Sequence, residues 1–453
     1  MRIKTNRTLT LKEVAYLLGA EIAFDREINA ICTDSRECQA NDLFIALSGE
    51  NHNGSDYMDD ARKRGAFVMA EHGGDINTKR TDLSLLSLAS EYKQIINPRY
   101  TVAITGSVGK TTVKDFTHFL LSSVMPTHKT EGNFNNIIGV SHTLLSLPKN
   151  TEALVCELGM NHTGEIDLLS RAVIPDIAII TNIGTAHIGN LGSRERIAEA
   201  KLEIQNGMTS TGRSIVSLEE PLLRNIPNPY FISYRDKSSD LYAEISSLSR
   251  KGCKLFIKTE RFECEIESSL YSEHSIDSLI YAVAVCDLLD MSPKEISDAV
   301  KMITSNCLRQ KFILKNGYNI YDDSYNSSPE AVIADFNMLA KMGNNNSALL
   351  GDMLELGERS EEMHLMIGAE CERFGFKKLY AFGKYCDAIA KGAISEGMNK
   401  DFVFTNSDLS KPEATAKQIA ESYSGETLLV KASHAVRADR IIKLLINKES
   451  ENA

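Results

Sequence analysis

The stretch that most constrains this chain is Ile104–Thr112, Ile-Thr-Gly-Ser-Val-Gly-Lys-Thr-Thr, which follows the apolar, β-branched run Tyr100–Ile104. A strand, a glycine-containing turn and a Lys-Thr-Thr that opens a helix make a cradle for phosphate. Gly106 and Gly109 let the backbone curl so that successive N–H groups converge on one anion, and the positive end of the next helix reinforces them. Lys110 is placed to reach terminal phosphates, and the Thr111 hydroxyl to hold a magnesium ion. The standard spacing is Gly-x-x-x-x-Gly-Lys-Ser/Thr, and Ile104 stands where its first glycine would be. Taken alone, the loop also fits an ordinary strand-to-helix turn with a solvated lysine.

At 453 residues the chain has room for about three domains. Charged residues make up 25% and hydrophobic residues 43%, a soluble globular composition. The formal net charge of −11 argues against a nucleic-acid partner, which needs a basic face. It leaves room for anionic small substrates, because a local nest of N–H groups and lysines opposes the global charge. The nine cysteines are odd in number and contain no Cys-x-x-Cys, so neither a disulfide framework nor a zinc site is indicated. The start, Met1-Arg-Ile-Lys-Thr-Asn, lacks the apolar run of a signal peptide, and no stretch has the length to span a bilayer. A cytoplasmic protein with reduced thiols is expected.

From the N-terminus, Leu9–Ala20 reads as a helix capped by Thr8 or Thr10, and strand and helix segments then alternate to Ala70, as in a small α/β domain. Thr33-Asp34-Ser35-Arg36 follows one of its strands. Ser35 and Arg36 there either meet a ligand's phosphate or base, or belong to a turn in which side chains bond their own backbone. A linker is expected at Asn97-Pro98-Arg99. After the phosphate loop come a helix, Thr111–Ser123, and the polar turn Gly132-Asn133-Phe134-Asn135-Asn136, whose asparagines either donate to phosphate or simply suit a turn. Glu157 ends a buried apolar strand, which is costly unless the carboxylate is paired or binds metal; beside a phosphate loop, magnesium is favoured. His187 falls at the same end of the presumed sheet, where ligands of open α/β sheets gather. Ser193 caps a helix, Arg194–Gly207, on which Lys201 reads as one more solvated lysine. From Lys311 onward strand and helix alternate, implying a parallel sheet of the dinucleotide-fold kind. Its first strand ends in Asp322-Asp323, whose mutual repulsion calls for a cation, a sugar hydroxyl or a helix cap.

Together these residues resemble the Mur ligases of bacterial cell-wall synthesis. The resemblance runs through Thr33–Arg36 with Asp42-Leu43-Phe44, Thr105–Thr112, Gly132–Asn136 with Gly139, and Glu157–Asn161 with Gly164-Glu165-Ile166. It continues through Asn182–His187, Gly192-Ser193, Lys201–Ile204, Asp322–Pro329 and Leu350–Gly357. The Asp-Asp-Ser-Tyr-Asn and Asp-Met-Leu-Glu-Leu-Gly runs are similar to the member that joins D-alanyl-D-alanine to UDP-N-acetylmuramoyl-tripeptide.

The resemblance implies an α/β protein of three domains. Residues 1–98 would bind the UDP substrate, 99–310 would form a P-loop ATPase-type parallel sheet that binds ATP, and 311–453 a Rossmann-like domain that receives the incoming amine. It assigns ATP to Thr105, Gly106, Ser107, Val108, Gly109, Lys110, Thr111 and Thr112, with Asn136, His274, Arg309 and Asp323. Two magnesium ions would be held by Thr111, Glu157, His187 and Lys201, the last carbamylated, and Lys110, His187 and Lys201 would be catalytic. Ser35, Arg36, Asn161, Tyr325 and Asn326 would meet the substrates. The reaction implied is ATP-dependent amide formation through an acyl phosphate, by a monomer with small-molecule substrates. His274-Ser275 with Ser278, Asn53-Gly54-Ser55 and Lys431-Ala432-Ser433-His434 depart from the family pattern, the last two in substrate-facing parts. The alternatives are a divergent relative that joins another amino acid or peptide, and a non-synthetic P-loop ATPase switch.

Overall fold

The computed structural model describes residues 1–49, 53–184, 188–249, 252–303, 311–325, 327–354 and 356–447. Its first sheet has five strands in the order Arg2–Ile3, Ile31–Cys32, Leu43–Ile45, Phe67–Ala70 and Ile76–Asn77, parallel except for the first pair. Beside it lies the expected short helix, Leu11–Leu17, whose N-cap Thr10 accepts from the Glu13 backbone N–H. A further helix, Thr81–Ile96, has no counterpart in the sequence reading. It buries Leu85, Leu86, Leu88, Ala89 and Tyr92 and packs on helices Ile137–Leu145 and Glu165–Val173 of the next block. Ser90 Oγ donates to the Ala172 carbonyl across that contact, at 2.8 Å. The expected linker is a tight joint: Asn97 ends the helix in the left-handed region (φ 54°), and strand Tyr100–Thr105 begins three residues later. One apolar core therefore runs from the first sheet into the second.

The central sheet has nine strands, ordered Glu263–Ser268, Gly252–Thr259, Leu241–Ser249, Pro229–Ser233, Arg213–Ser217, Ile177–Ile180, Tyr100–Thr105, Ala153–Glu157 and Thr127–Lys129. The pairings from Leu241–Ser249 to Thr127–Lys129 are parallel, and the outer two are antiparallel. Tyr100–Thr105 lies between Ala153–Glu157 and Ile177–Ile180, so the chain works outward from it in both directions. A crevice outside the carboxyl ends of the strands at such a reversal is where open α/β sheets hold ligands, and the phosphate loop leaves that end of Tyr100–Thr105.

The last sheet pairs Lys311–Lys315 antiparallel with Tyr318–Asp323 and then continues in parallel through Thr427–Lys431, Asn346–Gly351, Lys378–Phe382 and Val403–Asn406. The strand latest in the chain is thus inserted between the first two parallel strands, and Asp323 becomes the direct register partner of Lys431. This block meets the central one in several places. Tyr271 and Phe312 pack with ring centroids 5.1 Å apart, and Lys341 pairs with Glu273 at 2.9 Å. Gly189 and Gly357 touch backbone to backbone, so that a Cβ on Gly189 would stand 3.1 Å from the Gly357 Cα. Among the described residues no helix is long and apolar enough to cross a membrane.

Candidate active site

The phosphate loop is shaped from within and fastened from the side. Gly106 and Gly109 take φ of 147° and 86°, a region that L side chains avoid, and helix Lys110–Ser122 starts directly after them. A Cβ on Gly106 would lie 1.9 Å from Thr181 Oγ1. The fastening comes from the end of the neighbouring strand, Ile177–Ile180. Asn182 makes a reciprocal amide pair with Val108, accepting the Val108 N–H on Oδ1 and donating Nδ2 to the Val108 carbonyl, both at 2.9 Å. Thr181 Oγ1 donates to the same carbonyl at 2.6 Å, and the Ser107 N–H donates to the Asn182 carbonyl at 3.1 Å. Tyr281, on helix Glu273–Leu288, donates its hydroxyl to the Thr181 carbonyl and ties that helix to the loop. Lys110 lies across the loop, its ammonium 2.7 Å from the Gly106 carbonyl.

Beside the loop, Glu157 is 2% exposed at the end of its strand. Its Oε1 accepts from Asn135 Nδ2 at 2.9 Å; Oε2 is 3.6 Å from the Lys114 ammonium and has no hydrogen-bond partner among the described residues. Lys114 in turn donates to the Gly132 carbonyl. The Lys114 ammonium thus offsets the buried charge as an ion pair, while Oε2 keeps room to accept a further donor or cation. Lys201, near the end of helix Arg194–Leu202, is 1% exposed, so the reading of it as a solvated lysine is overturned. Burial, with the nearby Lys110 charge, pushes its amine well below the usual lysine range, which favours the neutral, nucleophilic form. Among the described residues no three His, Cys, Asp or Glu side chains gather into a ready cage.

These groups open into one cavity of about 940 Å³. Thr105–Thr112, Asn136, Glu157, Asn161 and Lys201 line it from the central block, and Asp323, Tyr325, Lys431, Ser433 and His434 from the last one. A third wall consists of Glu219, Tyr234, His274, Asp277 and Ser278. There Tyr234 donates its hydroxyl to Asp277 at 2.6 Å, and Glu219 accepts from Ser233 Oγ and the Tyr234 N–H. His274 is held neutral chiefly by burial, and its Nε2 has no hydrogen-bond partner among the described residues.

The structure thus brings together most of the expected residues, with different local duties for some. Asn136 spends its side-chain oxygen as N-cap of helix Ile137–Leu145, accepting from the Gly139 N–H, and Asn135 serves Glu157. Asp322 accepts from the backbone and hydroxyl of Ser324, while Ser328 caps helix Pro329–Met342, so neither aspartate is a helix cap. Ser35 and Arg36 lie apart from the cavity: Asp34 accepts the Arg36 N–H and pairs with its guanidinium. His187, Arg309 and Asn326 fall outside the described residues. Asn182, Thr181, Tyr281 and Asn135 carry duties the sequence reading did not assign. For Thr181, Asn182 and Asn135 the only signal was position, at a strand end or in a turn flanking the loop; Tyr281, inside helix Glu273–Leu288, gave none.

Three family models cover most of the chain: "Mur ligase family, catalytic domain" at residues 27–103, "Mur ligase middle domain" at 104–286, and "Mur ligase, glutamate ligase domain" at 308–434. The chain is 33% identical to the UDP-N-acetylmuramoyl-tripeptide--D-alanyl-D-alanine ligase of Bacillus subtilis, over 96% of this chain and 98% of that protein. It is 29% identical to the enzyme of the same name from Escherichia coli, over 97% and 98%. Among solved structures, MurF from Acinetobacter baumannii superposes with a TM-score of 0.88 at 26% identity, covering 98% of this chain and 99% of that one. A MurF ligase from Thermotoga maritima, in complex with ADP, matches with a TM-score of 0.79 at 27% identity, over 92% and 96%. With a cavity built around its phosphate loop and this likeness from end to end, the chain belongs to the Mur ligase family.

Proposed function

We propose that this protein joins D-alanyl-D-alanine to UDP-N-acetylmuramoyl-tripeptide, using ATP, in the synthesis of peptidoglycan precursor. The observation that carries the reading is the single cavity in which the phosphate loop, the buried Glu157 and Lys201, and the wall of the last domain face one another. A nucleotide switch needs only the first of these. Full-length likeness to enzymes named for this reaction supports the choice of substrates.

The chemistry has two steps. A carboxylate oxygen of the tripeptide attacks the γ-phosphorus and ADP leaves, giving an acyl phosphate. The amine nitrogen of the dipeptide then attacks the acyl carbon, and the tetrahedral intermediate expels phosphate as the amide forms and the nitrogen sheds its proton. The difficulty lies in bringing a carboxylate up to a triphosphate, since each like-charge pair at ~4 Å costs about 4 kcal/mol at an effective dielectric of about 20. Loop N–H groups and Lys110 offset part of that. Magnesium, held by Thr111, Glu157, His187 and Lys201, supplies the remaining positive charge when bound. Lys201 is suited to carbamylation: its neutral amine attacks the carbon of carbon dioxide, an N–C bond forms as one C–O bond loses its double-bond character, and a proton is released to solvent, leaving an anion in the cavity that Glu157 also lines. The third wall, through His274, takes the nucleoside, to which Arg309 also contributes; Asp323 meets its sugar. Residues 1–98, through Ser35 and Arg36, hold the UDP end, and residues 311–453, through Tyr325 and Asn326, receive the dipeptide, with Asn161 on the acceptor side. The last domain excludes water from the acyl phosphate. The enzyme acts as a cytoplasmic monomer.

The test is phosphate release from ATP with magnesium and bicarbonate, with UDP-N-acetylmuramoyl-tripeptide, D-alanyl-D-alanine, both or neither. Release that requires both, with a product of pentapeptide mass, is expected. Release unchanged by either substrate would replace this reading with a nucleotide switch. Release restored only by another amino acid or peptide would make the chain a divergent ligase.

A further inference from the structure

Lys431 belongs to a part of the chain expected to face substrate, yet its ammonium is turned inward. It is 2% exposed and lies between two carboxylates: it pairs with Asp323 Oδ2 and stands 3.0 Å from Asp335 Oδ2. Asp323 and Lys431 are register partners at the ends of adjacent parallel strands. Asp335 comes up from helix Pro329–Met342, is 1% exposed and is not part of the cavity lining. Only Asp323 and Lys431 reach the cavity.

We propose that Asp335 and Lys431 are positioning residues that together fix the Asp323 carboxylate where the nucleotide's sugar docks. The proposal rests on the reading of this cavity as the ATP site. Three facts lead to it. First, a lone carboxylate at a strand end has two free torsions, whereas Asp323 is held by an ammonium that is itself clamped from behind. Second, the one ammonium lies between two acids, paired with Asp323 and 3.0 Å from Asp335 Oδ2. Burial pushes the Asp335 acid well above the usual carboxylate range, with the neighbouring Asp323 adding to it and the Lys431 ammonium opposing it, which favours the protonated acid. Burial opposes charge on Lys431 too, but the two carboxylates outweigh it and keep the ammonium charged. Third, the turn after Lys431 carries Ser433, whose Oγ accepts from the Leu354 N–H at 2.9 Å, so the clamp also anchors the loop that lines the far wall. The arrangement is then an ammonium held between two acids, with Asp335 behind it, away from the cavity, and Asp323 in front, at the cavity.

An amide has the shape of a protonated acid and keeps an oxygen facing the Lys431 ammonium, which stands 3.0 Å from Asp335 Oδ2. The experiment is ADP titration by calorimetry, with thermal unfolding in parallel, on the full-length wild-type protein and the variants Asp335→Asn, Asp335→Ala and Lys431→Met. Asp335→Asn should bind ADP within about threefold of wild type, while Asp335→Ala and Lys431→Met should weaken it tenfold or more. Equal weakening by Asn and Ala would overturn the proton-bearing acid. Full ADP affinity in Asp335→Ala, with only the unfolding temperature lowered, would make Asp335 a packing residue and overturn the clamp. Should Asp335→Ala fail to fold, the contrast of Asp335→Asn with Lys431→Met still decides: equal affinities overturn the proposal. No ADP binding by the wild-type protein would overturn the nucleotide reading, and the proposal with it.

Discussion

Replacing Asn182 by alanine tests how the phosphate loop keeps its shape without touching a residue that reaches for phosphate. The side chain makes two hydrogen bonds of 2.9 Å to Val108, one in each direction. In Asn182→Ala the Val108 carbonyl keeps Thr181 Oγ1 at 2.6 Å, but the Val108 N–H loses its acceptor. A net hydrogen bond is worth about 0.5–1.5 kcal/mol, and a buried donor left unmade costs somewhat more. The loss therefore comes to about 1–2 kcal/mol, or roughly five- to thirtyfold in nucleotide affinity if the loop must be re-formed on binding. Asn182→Asp keeps the acceptor for the Val108 N–H but turns the donor into an acceptor facing a carbonyl, and sets an anion beside the phosphates. It should bind more weakly than alanine. The assay is ADP titration at fixed salt and magnesium, with thermal unfolding to confirm the fold. An Asn182→Ala affinity within twofold of wild type, or an Asn182→Asp affinity above that of Asn182→Ala, would refute the argument.

Two further outcomes are expected. Glu157→Gln keeps the bond from Asn135 but removes the charge, so the magnesium concentration for half-maximal ligation should rise by about 10–100-fold; an unchanged magnesium dependence would remove Glu157 from the metal site. His364 is fully buried, and its Nε2 accepts the Met353 N–H at 2.8 Å, which requires the neutral ring. Burial holds its folded pKa below the ordinary 6.5, so as pH falls the unfolded chain takes up the proton first. Its contribution to stability is complete above pH 6.5 and is lost as pH drops towards the lower folded value. Between pH 7.5 and 5.5 the unfolding temperature of wild type should fall further than that of His364→Gln, and parallel losses would refute this.

What could be read from the sequence was what is encoded over short distances. The phosphate loop depends on two glycines and the elements flanking them, and the alternation of strand and helix in the last third is a local pattern. Glu157 was legible because an acid closing an apolar run is expensive wherever the run is placed. Lys201 was not, since a lysine on a short polar helix looks solvated until the helix is packed, and only the family resemblance marked it out. The duties of Asn135 and Asn182 depend on what lies across the sheet, which composition does not record. Helix Thr81–Ile96 carries a readable apolar face at Leu85, Leu88, Ala89 and Tyr92, and it was missed beneath its serines and acids. That Lys431 also pairs with Asp323 and Asp335 was not legible, because those partners come from an earlier strand and helix.

The placement of strand Thr427–Lys431 also sets a timetable for synthesis. Its partner at the strand end, Asp323, precedes Lys431 by 108 residues. A ribosome that has released the chain only as far as Val403–Asn406 has made two part-sheets, Lys311–Lys315 with Tyr318–Asp323, and Asn346–Gly351 with Lys378–Phe382 and Val403–Asn406. Each has a raw edge where the missing strand belongs, the kind of edge that pairs with the wrong chain. Closure waits for the long-range pairing, which is intrinsically slow. The strand that heals both edges also delivers the ammonium between the two aspartates, so the nascent protein cannot have a finished sheet without a finished cavity wall.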